Sequence, residues 1–288
     1  MGEVITLTIG DLVLTQSTPM DGTSVHFDVG EAGHDIVPGD LIQMTNGQIL
    51  KELLVPPLVI MDYDLGANKI KGTYDPNIAF KIYVNPFDPY DVTFIDNFWT
   101  AYFTELLPNQ WGDAEQIDAD NDTVHATIRT PNPTFYVVPD EDKIYASEWS
   151  PGEMLYVKVN GSDVTSQPVP DLGSPYGPEI MFDLSSIVDL IAGDTVILSD
   201  GRSIKELVVA VLQFTGYDFD SHTISGIADL GDLFIGVNGV DIWITVGGDG
   251  NWSVSSLEYE PGEWGSAIIG DNDGDQTRDI FMIPYTPP

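Results

Sequence analysis

Gly39–Leu53, GDLIQMTNGQILKEL, and Gly193–Leu207, GDTVILSDGRSIKEL, are one pattern written twice, 193 − 39 = 154 residues apart. Each copy runs through short aliphatic and β-branched stretches on either side of Asn46-Gly47 or Asp200-Gly201. Asn, Asp and Gly tolerate positive φ, so such pairs close tight turns between antiparallel strands. The stretch reads as a β-hairpin, and its recurrence makes the chain a repeat protein.

The same offset pairs Tyr63-Asp64 with Tyr217-Asp218, and Ile70, Gly72 and Asp75 with Ile224, Gly226 and Asp229. One deletion later, at offset 153, Val84-Asn85 meets Val237-Asn238, Trp99 meets Trp252, and Trp111-Gly112 meets Trp264-Gly265. Asp118, Asp120 and Asp122 fall on Asp271, Asp273 and Asp275. Each long repeat divides again, giving four modules: 1–58, 59–136, 137–212 and 213–288. Units this small lean on neighbours or on metal for stability.

Segments such as VITLTI, FKIYV, MLYVKV and TISGIA are short, β-branched or aromatic, and bounded by turn residues. Asn160-Gly161, Asn238-Gly239 and Asp249-Gly250 supply further turns. The best helical candidate, SSIVDLIA at 185–192, is short. The expected fold is all-β, a tandem array of sandwiches, and its 20 Pro and 28 Gly suit loops and edges. Because the two KEL segments run on into LLVPPLVI and LVVAVLQF, they read as strands continuing into the next module.

Ten Lys plus Arg against 46 Asp plus Glu gives 10 − 46 = −36, which excludes nucleic-acid phosphate and points to cations as partners. The absence of Cys removes disulfides, thiolate metal sites and cysteine nucleophiles. No run approaches the ~18 apolar residues of a membrane span. The opening MGEVITLTIG lacks a signal-peptide pattern and reads as the start of a mature fragment. Such acidity also fits salt adaptation.

Asp271–Thr277, DNDGDQT, places carboxylates on alternate residues around Gly274, and Asp118–Asp122 repeats this with Asn121 at the turn. Oxygens so spaced converge on a hard cation such as Ca²⁺, which takes six to eight oxygens. An EF-hand needs Gly at position 6 and Glu at position 12, where Gln276 and Met282 stand. The alternative is a solvated acidic turn. Asp62, Asp64, Asp218 and Asp220, from the repeated DYD and DFD, are possible additional ligands. Asp75 and Asp229 read as turn residues.

ISGIADLGDLFIGVNG, DGNWSVSS and PGEWGSAIIGDNDGDQT together resemble the tandem immunoglobulin-like (Big-type) repeat modules of bacterial secreted and cell-surface proteins. The match is close over 213–288 and degenerate over 59–136, where DNFW stands for DGNW. The resemblance implies immunoglobulin-like sandwiches in these two modules, an extracellular or cell-surface location, Ca²⁺ as structural ion and no catalysis. The expected function is a calcium-stabilised spacer, stalk or adhesive array, with neighbouring modules and possibly a surface glycan or protein as partners.

The four His, at 26, 34, 125 and 222, form no metal-hydrolase spacing, and no nucleophile elbow or phosphate loop occurs. The alternative function is a carbohydrate-binding accessory module. The recurring Trp99/Trp252 and Trp111/Trp264 suit buried roles, whereas Trp149 and Trp243 lack Trp partners and are the candidates for a ligand face.

Overall fold

The computed structural model describes residues 2–19, 24–255, 260–283 and 285. Apart from a 3-10 turn at Pro139–Glu141, the regular elements among them are β-strands, and 185–192 is turn and coil. Residues 1–130 and 131–288 form two compact units.

In the first unit, β1 (Val4–Ile9), β2 (Leu12–Ser17), β3 (Leu41–Thr45) and β4 (Leu50–Leu54) form one antiparallel sheet in the order β2-β1-β3-β4. Seven strands follow: β5 (Val59–Asp64), β6 (Lys69–Thr73), β7 (Ala79–Val84), β8 (Asp91–Ile95), β9 (Phe98–Tyr102), β10 (Trp111–Ile117) and β11 (Thr123–Arg129). They make the sheets β5-β6-β9-β8 and β11-β10-β7. Lettered A to G, this is ABED against CFG, the immunoglobulin constant-type arrangement.

The second unit holds two sandwiches. The first contains β12 (Thr134–Val138), β13 (Lys143–Ser147), β14 (Met154–Val159), β15 (Ser162–Pro168), β16 (Ile180–Asp183), β17 (Thr195–Ser199) and β18 (Ile204–Val208). The second contains β19 (Leu212–Asp218), β20 (Thr223–Ala228), β21 (Gly231–Val237), β22 (Val240–Val246), β23 (Asn251–Val254), β24 (Trp264–Gly270) and β25 (Gln276–Met282). The sheets are β15-β14-β17-β18, β19-β20-β23 and a continuous β16-β13-β12-β25-β24-β21-β22. The last spans both sandwiches through a parallel pairing, Tyr136 beside Gln276 and Val137 beside Thr277. Strand β12 therefore opens the sandwich of residues 134–208, although the repeat spacing placed 134–136 with the preceding module.

Two local features explain this topology. Gly72 and Gly226 lie opposite Trp99 and Trp252 on adjacent strands, and a Cβ on either would overlap the indole ring. The recurring glycine is thus the space the core tryptophan occupies. Asn238 and Gly239 take φ of 47° and 78°, the turn that folds β22 back along β21 over seven residue pairs. Asn85-Pro86 stands there in the first repeat, and a proline ring fixes φ near −65°, so that hairpin is unavailable. Strand β8 pairs instead with β9, on the opposite sheet.

The KEL segments do not run through as single strands. Strand β4 ends at Leu54 and β5 starts at Val59 in another sheet, with Pro56-Pro57 between, and β18 and β19 are likewise separated by Val209–Val211.

Candidate metal centre

Each aspartate loop joins the F and G strands of its sandwich. In 271–275 the Asp271 N–H donates to the Asp275 carbonyl at 2.9 Å. The Asp271 Oδ1 accepts from the Asp273 and Asp275 N–H groups at 3.1 and 3.0 Å. Loop 118–122 repeats this, with Asp118 Oδ1 accepting from Asp120 and Asp122 at 3.1 and 2.9 Å. Gly274 at φ 96° and Asn121 at φ 67° make the turn. The first Asp thus folds the loop through its own backbone, and alternation brings the other two carboxylates to the same side. In each loop three carboxylate oxygens lie within 4.8 Å of one another.

The cation inside each loop escaped the sequence reading. Lys205, of the second KEL, donates to the Asp273 carbonyl at 2.8 Å and lies 3.1 Å from Asp273 Oδ2. Lys51, of the first, donates to the Asp120 carbonyl at 3.0 Å and reaches Asp120 Oδ2 at 2.5 Å and Asp122 Oδ1 at 3.2 Å. The aligned KEL lysines, in a chain with ten basic residues, were the available signal. The Asp120 bond raises the Lys51 pKa and lowers that of Asp120. Asp273 is lowered, by its bond with Asp271 and then by Lys205.

Asp275 differs from its counterpart Asp122. It is 0% exposed; Oδ1 accepts from the Phe135 N–H of β12 at 2.9 Å, while Oδ2 is buried with no partner. Burial pushes its pKa up to about 7. Burial also raises Asp271. With all three carboxylates ionised, they and one ammonium leave −3 + 1 = −2, the charge a divalent cation neutralises. Three clustered carboxylates, one of them with a buried oxygen that has no partner, are a donor set that fits Ca²⁺. In the first loop Lys51 engages both Asp120 and Asp122.

Asp275 heads a row missed in the sequence. Asp275, just before β25, and Thr277 and Asp279 on its inward face each accept a backbone N–H from outside their own sheet hairpin: Asp275 from Phe135, Thr277 from Ala210 at 2.9 Å, and Asp279 from Phe214. The equivalents of the last two, Val124 and Ala126, are apolar.

The other candidates fall elsewhere. Asp64 and Asp62 pair with Lys69 at 2.9 Å and Lys71 at 3.8 Å. Asp218 folds its own turn by accepting from Asp220 and Ser221. None of these, nor Asp220, joins either three-carboxylate cluster among the described residues. Asp75 holds a turn through Asn77, whereas Asp229 accepts from Val211 N–H. Trp99 and Trp252 are buried. Trp111 and Trp264 are exposed, which corrects their expected buried role: Gly112 and Gly265 are the inward residues, and a Cβ on Gly265 would meet Phe281. Trp149 is core, its Nε1 donating to the Thr134 carbonyl at 3.0 Å, so it forms no ligand face. Trp243 is 71% exposed.

Fold and loops define an array of immunoglobulin-like β-sandwich modules in tandem repeat. No family model and no curated protein matches the sequence. Among solved structures, the chain is similar to a Ca²⁺-stabilised adhesin with which an Antarctic bacterium reaches out and binds ice (12% identity, 100% of this chain and 90% of that one, TM-score 0.23). It is also similar to a tetra-tandem repeat from the extending region of a large adhesion protein (14%, 99% and 92%, TM-score 0.20). A third is a Bacteroides ovatus glucan-locus protein, SGBP-B, in complex with a mixed-linkage heptasaccharide (10%, 88% and 82%, TM-score 0.23).

Proposed function

We propose that this chain is a non-catalytic extracellular repeat segment, a calcium-stabilised spacer, stalk or adhesive array of a bacterial surface or secreted protein. Asp275 carries the reading. One oxygen holds the first strand of the preceding sandwich and the other is buried and unpartnered, while the residue offers a carboxylate oxygen within 4.8 Å of those of Asp271 and Asp273. An ion bound by Asp271, Asp273 and Asp275 would sit where two sandwiches join and oppose the repulsion that loosens such a junction in a chain of charge −36. Asp118, Asp120 and Asp122 would form the corresponding site of the first repeat. An ion that binds only the folded state stabilises it by RT ln(1 + [L]/Kd), about 2.7 kcal/mol at a hundredfold excess over Kd.

Calorimetry in EDTA, in millimolar CaCl₂ and in NaCl of matched ionic strength tests this. The expected result is a midpoint rise specific to Ca²⁺ and lost in the Asp271→Ala/Asp273→Ala variant. An equal rise in NaCl would reduce the loops to acidic turns.

A carbohydrate-binding accessory role is the second reading. Trp243 and Trp264 project from one face of the long sheet, with Phe234 5.2 Å from Trp243. It requires retention on a polysaccharide column that Trp243→Ala abolishes.

A further inference from the structure

The sheet β2-β1-β3-β4 is half of a sandwich. Its strand order matches β15-β14-β17-β18, and Gly2-Glu3 before β1 matches Gly152-Glu153 before β14. In residues 134–208 the inner face of that sheet is covered by β12 and β13, a hairpin that inserts Phe135, Val137, Ile144 and Ala146, together with β16. Residues 1–55 have the counterpart of β16, Val25–Asp28, which lies in coil and pairs with no strand among the described residues.

Burial follows the difference. Leu198 on β17 is 0% exposed, and its equivalent Met44 is 40% exposed. Lys205 is buried, while Lys51 is half-exposed. Among the described residues the first core contains three buried residues, Leu7, Ile9 and Val29, where the complete sandwich has seventeen. An open cavity beside the sheet is lined by Ile5, Val25, Met44 and Ile49.

The groups that hold β12 and β13 in the second unit have counterparts in the first that hold no such hairpin. Strand β11 is the edge of its sheet and matches β25, whose Gln276 and Thr277 pair in parallel with β12. Asp122, bonded to Lys51, matches Asp275, which accepts the Phe135 N–H.

We infer that the open face of residues 1–55 is an acceptor for a two-stranded β-hairpin of the β12–β13 kind. The hairpin's inward apolar residues cover Ile5, Ile42, Met44 and Leu53. Its second strand pairs antiparallel with Val25–Asp28, as β13 pairs with Ile180–Asp183, and its first adds in parallel to β11 at Thr123-Val124. Strand addition supplies main-chain bonds and alternate side chains supply specificity.

The test joins a second copy of residues 131–151 directly to Gly2 of the full chain, which reproduces the connection to β14 without a linker. Amide exchange is then followed by mass spectrometry. The expected outcome is at least tenfold slower exchange over 25–28 and 123–124, with the rates of 134–208 unchanged. The same fusion carrying Phe135→Asp, Val137→Asp and Ile144→Asp in the added hairpin alone should lose the protection. Equal protection with the charged hairpin, or none with either, overturns the proposal. So does a concentration-dependent dimer of the unfused chain that by itself protects 25–28 and 123–124, because the face then belongs to a second copy.

Discussion

Asp275 is a carboxylate whose burial the fold tolerates under one of two conditions, a proton or a cation. Its pKa in the folded chain, about 7, lies above its ordinary value of 3.8, so the native state holds the proton that the unfolded state releases. Its contribution to stability is therefore full below pH 3.8 and is lost as pH rises through 7. At 1.36 kcal/mol per unit this is up to about 4 kcal/mol in EDTA, an order-of-magnitude figure. Asp275→Asn keeps an oxygen for the Phe135 N–H and removes the charge. The variant should unfold at a higher temperature than wild type in EDTA at pH 7.5 and at a lower one in saturating CaCl₂. A difference between variant and wild type that is the same in EDTA and in CaCl₂ would mean that Asp275 meets no ion. Lys205→Met removes the ammonium that occupies Asp273. Unfolding in EDTA should then cost about 1–3 kcal/mol less, while Ca²⁺ binding measured by titration calorimetry tightens.

At the scale of elements, the sequence shows most clearly what turns dictate. Asn238-Gly239 and Asn160-Gly161 adopt the paired positive φ that their composition demands. Gly239→Val should therefore cost about 1–2 kcal/mol in thermal unfolding, because a side chain must enter the left-handed region. The aspartate loops were legible for the same reason, since alternation and a turn residue are local. Contacts between strands far apart in the chain were not. Lys205 reaches Asp273 across 68 residues, and nothing within either segment announces the meeting. The Trp-Gly pairs misled because inward and outward positions are set by register: Gly265 lies opposite Phe281 and leaves Trp264 outside. The spacing cut β12 between 136 and 137, whereas Tyr136 and Val137 both pair with β13 and meet the next sandwich through β25. Thr277 tests that seam. Thr277→Val leaves the Ala210 N–H without its acceptor, and exchange at Ala210 should accelerate while that of β20 and β21 does not.

For the molecule as a whole, stability should follow how completely each core is closed. Seventeen buried residues hold the sandwich of residues 134–208, twelve hold that of 212–283, and three hold the sheet of residues 4–54. Burial of apolar area is the main favourable term in folding, so a sheet covered on one side only opens at lower free energy than sandwiches closed on both. In native-state hydrogen exchange under increasing denaturant, amides of β1 and β3 should exchange first through a subglobal opening, and those of β14 and β17, their counterparts in strand order, should exchange last. Calcium should slow exchange around β12 and β25 without changing this order, because the ion loop 271–275 joins sandwiches that are already closed. If β1 and β3 proved as protected as β14 and β17, their inner face would already be covered, and the contrast between Met44 and Leu198 would have another cause.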